Sequence, residues 1–477
     1  MNLPELGISR EEVLATLESF RAQDLPWRSG RVLAYTYDPG KEAEDTSKAA
    51  YLSYLSENAL DPTSFPSISH MERDVVRKVI TLLQGDANAV GNFTSGGTES
   101  LLLAVKTARD FARAKRPEIT QPEMLLPVTA HAAFHKAAAY FDVKAVPVEV
   151  NPETFRVDVA KMRAAITPNT ILLVGSAPGY AHGVCDPIPE IAALAQEHNL
   201  LCHVDGCVGG FHFSIMRRAG TYNGPAFDFS VPGVTSISTD LHKYGYALKG
   251  ASVIMYRDKA LRRFQVFSCA RTTTYALINS TVMSTKSGGP VAAAWATLHH
   301  FGEAGYRSLI ARVMETTRVL IDGIRAIPGL RVLGQPEMCM FSFTSDAFNI
   351  FHVADAMRKR GWYVQPQFSL GNCPANLHIT VNQNSVGVET AFLADLRDAV
   401  AEVQALPEPI DLAGVRNVVQ TMVQQMGPAA VENLRAMAGL EGDALPTEWT
   451  MLNSVFDALP DEILEELLAD FVNDLYS

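Results

Sequence analysis

The chain has few cysteines and no cluster of basic residues, and both absences exclude particular kinds of site or partner. Its six cysteines form no CxxC pair, so neither a zinc site nor a disulfide framework is indicated. The 477 residues include 40 Lys and Arg against 52 Asp and Glu, a formal net charge of -12. We therefore expect reduced thiols, no metal site and no nucleic-acid partner, because a phosphate backbone is bound by clustered lysine and arginine.

Long apolar runs are also missing, so no membrane span is expected. The first residues lack the basic region and apolar core of a secretory signal, and we expect a cytoplasmic protein. Hydrophobic residues make up 47% of the chain and charged residues 19%, which is typical of an ordinary soluble enzyme. The length exceeds that at which a single core stops growing, which predicts two or more packed units with a cleft between them.

The middle of the chain alternates short apolar runs with helical or loop segments. The runs are 145–150, 171–174, 200–204, 234–237 and 251–256. This alternation predicts an α/β fold with a mainly parallel sheet. Upstream, residues 91–100 are predicted to form a loop that leads into a helix over 101–115.

We expect four segments along the chain. Residues 1–70 form an N-terminal arm with helices, and residues 71–300 form the large domain. Residues 301–406 form a small α/β domain, and residues 407–477 form an acidic helical tail whose role the residues do not indicate.

A histidine–lysine pair follows the predicted strand at 234–237. His242 and Lys243 come just beyond its carboxyl end, where open α/β sheets collect their ligands. A partly desolvated lysine with a lowered pKa can form an imine with an aldehyde, and a neighbouring histidine can donate to a phosphate. Taken alone, the pair is by default a solvated surface lysine beside a histidine.

An aspartate directly follows the apolar run at 200–204. Asp205 can keep a pyridine nitrogen protonated, which makes the ring an electron sink. A helix N-cap or a turn is the simpler alternative for this residue alone. The order of Asp205, another strand and then Lys243, 38 residues later, favours pyridoxal 5′-phosphate (PLP) as cofactor.

Two further segments add to this pattern. Residues 94–100 place two glycines before a helix, which suits an anion cradle at the helix N-terminus, with a capping box as the alternative. The cradle residues are Ser95, Gly96, Gly97 and Thr98. His131 could stack on the cofactor ring, and a satisfied core histidine is the alternative.

Together these segments resemble the group II PLP-dependent decarboxylase family of fold type I, most closely its sphingosine-1-phosphate lyase branch. The likeness extends from about Asn58 to about Val381. Its most specific stretch runs from Pro232 to Ala247 and continues into Lys249-Gly250, a sequence typical of the lyase branch.

The resemblance implies a role for each matching residue. Lys243 carries the Schiff base to PLP, Asp205 contacts the ring nitrogen, and His131 stacks on the ring. His182 lies near the cofactor and the reacting amine. The remaining cofactor residues surround the phosphate or lie beside it: Ser95, Gly96, Gly97, Thr98, Ser238 and His242.

Residues that would contact substrate depart from the family pattern. Lys249 matches a lysine of the lyase branch that binds the substrate's own phosphate, which supports an anionic substrate. Asn58 is kept, but Asp61 stands where a histidine is usual. Tyr275 and Lys286 lie in the region where the lyases carry a tyrosine and an arginine, and an ammonium does not replace a bidentate guanidinium.

The resemblance favours retro-aldol cleavage of a phosphorylated 2-amino-3-hydroxy compound. The bond held perpendicular to the cofactor ring is the one that breaks, so side-chain anchors select the reaction. Amino-acid decarboxylation and a non-catalytic PLP-binding protein are the alternatives. The resemblance also implies a homodimer with shared active sites, in which the hydroxyl-rich segment 272–289 reaches the neighbouring subunit.

Overall fold

The computed structural model describes residues 3, 5–61, 63–273, 276–407, 409–427, 430–437 and 448–476. Its helices are α1 (Arg10–Phe20), α2 (Lys41–Ser53), α3 (Pro66–Leu82), α4 (Gly97–Lys115), α5 (Ala133–Phe141), α6 (Val159–Ala165), α7 (Ile188–Glu197), α8 (Gly209–Arg218), α9 (Lys259–Arg262), α10 (Gly288–Arg325), α11 (Ile350–Lys359), α12 (Glu389–Gln404), α13 (Leu412–Met426), α14 (Ala430–Met437), α15 (Thr450–Ala458) and α16 (Asp461–Leu475).

The strands form two main sheets and one short hairpin. They are β1 (Val90–Thr94), β2 (Glu123–Pro127), β3 (Lys144–Val148), β4 (Thr170–Ser176), β5 (Leu201–Asp205), β6 (Ser236–Asp240), β7 (Ser252–Tyr256), β8 (Phe267–Cys269), β9 (Leu277–Asn279), β10 (Arg331–Val332), β11 (Met340–Thr344), β12 (Gln365–Gln367) and β13 (Asn376–Thr380).

The larger sheet has seven strands in the order β1-β7-β6-β5-β4-β2-β3. Strands β2 to β6 pair in parallel, and β7 runs antiparallel to both β1 and β6. Helices α4, α7 and α8 pack against this sheet, and β4 and β6 are buried along their whole length. The predicted α/β fold with a mainly parallel sheet is confirmed.

The register of this sheet brings several strand ends together. Ser176 lies opposite Asp205, and Asp205 lies opposite Ser238. On the other side of β6, Asp240 and Thr94 both lie opposite Ser252. The carboxyl ends of β1, β4, β5 and β6 therefore share one edge, where α/β sheets bind their ligands.

The prediction of a loop over residues 91–100 is wrong at both ends. Residues 90–94 form β1, and α4 already begins at Gly97. The strand is hard to recognise because it contains glycine and asparagine, which are rare in strands. Gly91 is needed there because a Cβ would lie 2.6 Å from the carbonyl oxygen of Ile254 on β7.

The second sheet is antiparallel, with the order β10-β11-β13-β12, and α11 packs against it. Its first two strands, β10 and β11, form an antiparallel pair. The last four helices have a core of their own, formed around Val419, Leu434, Leu452 and Val455. Among the described residues, no helix is both long and apolar enough to cross a membrane.

Candidate active site

Lys243 is paired with a carboxylate at the end of β6. Its Nζ lies 3.0 Å from Oδ2 of Asp240, and Nε2 of His242 lies 3.6 Å from the same oxygen. The Asp240 side chain is 1% exposed. Burial alone would raise the pKa of Asp240, but the positive charge of Lys243 outweighs burial and holds that pKa below its usual value, so Asp240 is a buried anion.

This anion sets the charge state of Lys243. Burial lowers the pKa of the Lys243 amine, but the negative charge of Asp240 outweighs it and raises that pKa above the ordinary value. The lowered pKa anticipated for this lysine is therefore not found. Asp240 was not among the predicted site residues, although an acid three positions before a lysine, at the end of a buried strand, was a signal for it.

Asp205 ends the neighbouring strand β5 and is 8% exposed. Its Oδ1 accepts a hydrogen bond from the backbone N–H of Cys207 at 3.0 Å, and the carbonyl of Cys207 accepts one from the N–H of Asp240 at 3.1 Å. Cys207 thus connects the two aspartates. The fully buried Ser238 lies opposite Asp205 in the sheet.

The predicted anion cradle lies at the N-terminus of α4. Gly96 caps this helix without a side-chain hydrogen bond, so N–H groups of the first turn can bind an anion. A Cβ at Gly97 would lie 2.8 Å from Oδ2 of Asp240 and 3.0 Å from Sγ of Cys207. Ser95 and Thr98 are exposed beside the glycines.

The capping-box alternative for this loop does not hold. The Glu99 side chain does accept the backbone N–H of Ser95 at 2.7 Å. However, the N-cap is Gly96, which has no side chain to reciprocate. The loop therefore presents its glycine backbone to the edge where Lys243 and Asp205 lie.

These residues fit PLP on chemical grounds. The amine of Lys243 can bind an aldehyde carbon, and the carboxylate of Asp205 can face a protonated ring nitrogen. The glycine cradle can hold a phosphate, and His242 lies beside it, since a Cβ at Gly96 would lie 3.4 Å from Cε1 of His242. Burial lowers the pKa of His242 to about 4. Its Nδ1 accepts the N–H of Ala251 at 3.1 Å, which leaves Nε2 as the nitrogen that can donate to a phosphate.

The two other predicted histidines have different surroundings. His131 is exposed in the loop after β2, where its Nδ1 accepts the N–H of Ala133 at 3.1 Å. His182 is 2% exposed and stacks on Phe155, with 4.2 Å between ring centroids. Burial, and then the nearby His378, lower the pKa of His182 to about 3. Its Nε2 has no hydrogen-bond partner among the described residues.

The predicted substrate residues are spread over two places. Asn58 and Asp61 cap a turn, with Asn58 Oδ1 accepting the N–H of Leu60 at 3.1 Å and Asp61 Oδ1 accepting that of Thr63 at 2.8 Å. Lys286 Nζ lies 2.5 Å from Oε2 of Glu72 and lines a cleft of about 920 Å³. Lys243 and Asp205 do not line that cleft.

Lys249 lies close enough to Lys243 for their charges to interact. Its Nζ is 4.8 Å from the ring centroid of Tyr37. The charge of Lys243 acts on the ionisation of both Lys249 and Tyr37. Burial and then the charge of Lys243 lower the pKa of Lys249. Tyr37, from the N-terminal arm, was not among the predicted site residues, and Tyr275 lies outside the described residues.

Comparison with known proteins identifies the family. The model of the pyridoxal-dependent decarboxylase conserved domain matches residues 51–345. This chain belongs to the pyridoxal-dependent decarboxylase family. A second model, for the candidate helix-turn-helix domain at the C-terminus of pyridoxal-dependent enzymes, matches residues 395–474.

Relatives of this family member include sphingosine-1-phosphate lyases. The lyase of Oryza sativa subsp. japonica is 40% identical over 416 residues, which cover 86% of this chain and 76% of the relative. That of Dictyostelium discoideum is 38% identical, covering 83% and 74%. The solved structure of the Burkholderia pseudomallei lyase is 39% identical with a TM-score of 0.81, covering 84% of this chain and 92% of that one.

The family and its relatives establish the class of chemistry. The protein is a PLP-dependent lyase, and PLP is its cofactor. Its ligand is accordingly a small molecule. Within the described ranges, no group of three or more His, Cys, Asp or Glu side chains is arranged to hold a metal ion.

Proposed function

We propose that this lyase cleaves the C2–C3 bond of a phosphorylated 2-amino-3-hydroxy compound, releasing an aldehyde and a phosphorylated amine. The observation that carries the proposal is the extent of the likeness to the sphingosine-1-phosphate lyases, which reaches 40% identity over 86% of this chain. The position of Lys249 supports it, because an ammonium beside the Lys243 site suits a substrate phosphate.

In this proposal Lys243 has two tasks. It binds the cofactor through Nζ, and it moves a proton at the reacting atoms while Asp240, 3.0 Å away, stabilises its ammonium form. Asp205 keeps the cofactor ring nitrogen protonated, and His131 stacks on the ring. When bound, PLP supplies the electron sink for the electron pair left on C2. The residues proposed to surround the cofactor phosphate, or to lie beside it, are Ser95, Gly96, Gly97, Thr98, Ser238 and His242.

Substrate recognition involves a second set of side chains. Lys249 binds the substrate phosphate, and His182 lies on the side of the reacting amine. The remaining members of the proposed set are Asn58, Asp61, Tyr275 and Lys286. To bind a substrate, Lys286 must first break its ion pair with Glu72, whose Oε2 lies 2.5 Å from Nζ of Lys286.

We also propose a homodimer in which segment 272–289 completes the partner subunit's site. Exposed apolar side chains in and near this segment support a protein contact: Phe267 at 53%, Ile278 at 62%, Val282 at 58% and Met283 at 48%. A Lys243→Ala protein mixed with one whose 279–286 segment is a flexible linker should regain partial activity on subunit exchange. Persistent inactivity after proven exchange would count against shared sites.

Product analysis tests the reaction. The holoenzyme is incubated with a phosphorylated 2-amino-3-hydroxy amine, its unphosphorylated counterpart and a panel of amino acids. We expect aldehyde from the first, much less from the second, and no product with Lys243→Ala. Carbon dioxide from an amino acid would instead indicate decarboxylation, and PLP binding without turnover would indicate a non-catalytic protein. The cytoplasmic location stays a prediction.

A further inference from the structure

Three buried or half-buried side chains connect the end of β1 to a loop almost 190 residues farther along the chain. The β1 end is defined here as residues 92–95, which lead into the cradle, and the substrate-side loop as residues 280–286. The connecting side chains are Glu72 on α3, Glu99 on α4 and Gln265 after α9. Each of them hydrogen-bonds both segments.

Glu99 makes the most direct connection. Its Oε2 accepts the backbone N–H of Ser95 at 2.7 Å, and its Oε1 accepts the backbone N–H of Val282 at 2.7 Å and of Met283 at 3.4 Å. Glu99 is 7% exposed, so its charge is compensated by these donors rather than by water. Ser95 is itself a cradle residue, and the connection therefore ends at the cofactor phosphate site.

Glu72 and Gln265 repeat the arrangement. Glu72 accepts the N–H of Phe93 at 3.0 Å on Oε1 and the Lys286 ammonium at 2.5 Å on Oε2. The Nε2 of Gln265 donates to Oδ1 of Asn92 at 3.1 Å and to the carbonyl of Ser280. Three connections in parallel leave the loop little freedom to move independently of the β1 end.

We propose that Glu99 is a positioning residue that couples the substrate-side loop to the cofactor cradle. Binding of the PLP phosphate orders Ser95 and thereby favours the loop position that Glu99 holds. By reciprocity, an ordered loop strengthens cofactor binding by the same factor. The inference rests on the proposed function, because it takes residues 95–98 as the phosphate cradle and Lys286 as a substrate residue.

Hydrogen exchange of the loop tests the coupling. The backbone N–H groups of Val282 and Met283 donate to Oε1 of Glu99, so their exchange rates report the loop position that Glu99 holds, in a single chain and in a homodimer alike. In the wild-type protein we expect saturating PLP to slow the exchange of these two amides by about tenfold, which corresponds to one charge-assisted hydrogen bond. Pyridoxal, which has no phosphate, should protect much less at equal occupancy.

Glu99→Gln should remove most of this protection and weaken PLP binding, measured by absorbance titration of the apoprotein, by about tenfold. Glu118→Gln is the matched control, because that carboxylate is 71% exposed and lies 4.0 Å from Arg116. Glu118→Gln should behave like the wild type. If Glu99→Gln does not fold, Gln265→Leu breaks a parallel connection and should also lower the protection factor.

Two results would overturn the coupling: equal exchange of the Val282 and Met283 amides in the wild type with and without PLP, or wild-type protection in a folded Glu99→Gln or Gln265→Leu protein. A general loss of stability would speed exchange in both states but leave their ratio unchanged. Failure of the proposed function is distinguishable, because a wild-type protein that binds PLP and releases aldehyde retains that function even if its loop is indifferent to PLP.

Discussion

At the scale of single residues, the carboxylate of Asp240 determines how Lys243 can react. An amine must lose its proton before it attacks an aldehyde, and Asp240 stabilises the ammonium form by a buried ion pair at 3.0 Å. In the proposed function, the cofactor aldehyde therefore has to compete with Asp240 for this lysine. Asp240 is fully buried and is also close to the cradle, since Gly97 has no room for a Cβ beside it.

Asp240→Asn should shift the pH dependence of cofactor capture. Burial lowers the pKa of Lys243 and Asp240 raises it, so removal of the negative charge should lower that pKa. We expect covalent capture of PLP by the apoprotein to be faster at a given pH in the variant, because a larger fraction of its amine is unprotonated. Stopped-flow absorbance from pH 6 to 10 measures the capture rate. An unchanged rate across this range in a folded variant would mean that Asp240 does not control the amine.

Some of these residues could be predicted from sequence and others could not. Asp205 is the last residue of β5 and Lys243 lies three residues beyond the end of β6, so local pattern and chain order point to them. Glu72 could not be found in this way, because its partner Lys286 is 214 residues away. The burial of His182 against Phe155 also depends on packing between distant segments, which no local pattern records.

At the scale of elements, the predicted apolar runs correspond to five of the seven main-sheet strands, β3 to β7, whereas β1 and β2 were missed. Strand β1 is the harder of the two to recognise. Its sequence Val-Gly-Asn-Phe-Thr has low strand propensity, and pairing with β7 overrides it. The helix predicted over 101–115 was recognised but placed too late, because Gly97 and Thr98 are poor helix formers whose helical conformation follows from the turn after β1. The division into four segments stays a prediction.

The contact between α11 and α15 depends on Asp355. This 6% exposed aspartate accepts the N–H of Trp449 at 2.9 Å and the N–H and hydroxyl of Thr450 at 2.8 Å and 2.5 Å. It thus caps α15 from a neighbouring helix. The C-terminal helices are therefore attached to α11 by this polar contact, and Phe456 of α15 also contacts Phe368, with 6.3 Å between ring centroids.

Asp355→Ala should loosen this attachment. The loss leaves buried donors unpaired, and we expect a local destabilisation of about 2 kcal/mol. Hydrogen exchange of residues 450–458 should accelerate, while exchange in β5 and β6 and the cofactor absorbance stay unchanged. Asp355→Asn retains an acceptor oxygen and should have a smaller effect. Unaltered exchange in α15 of the alanine variant would contradict this role.

At the scale of the whole molecule, the negative charge is concentrated in one region. Residues 407–477 contain thirteen acidic residues and two arginines, so the rest of the chain is close to neutral. One of the arginines, Arg416, is paired with Asp457 at 2.8 Å. This region matches a candidate helix-turn-helix domain. It nevertheless lacks the cluster of basic residues that binding of a phosphate backbone needs.

We accordingly expect no specific binding of nucleic acid. The full chain is titrated into a labelled DNA duplex at 0.1 M salt. The fluorescence anisotropy of the duplex should stay constant at protein concentrations below about 10⁻⁴ M, where non-specific binding is expected. A basic helix-turn-helix protein serves as the positive control. Tight binding with a steep salt dependence would refute the charge argument.

The stability of the whole protein should fall on acidification because of its buried histidines. Burial lowers the pKa of His182 and His212 to about 3 and that of His203 and His378 to about 4. In the unfolded chain these groups titrate near pH 6.5. Between these values the unfolded state binds protons that the folded state does not, so stability is lost as the pH falls below about 6.5.

The expected slope is about 1.4 kcal/mol per pH unit for each such histidine. Asp186 acts in the opposite direction, since burial raises its pKa to about 6, but it is one group against four. Urea unfolding followed by tryptophan fluorescence should therefore give a lower midpoint at pH 5 than at pH 7. His212→Gln should reduce the slope whatever its effect on stability at pH 7, because His212 then no longer titrates. A midpoint that stays constant or rises between pH 7 and pH 5 would show that these histidines are not neutral in the folded protein.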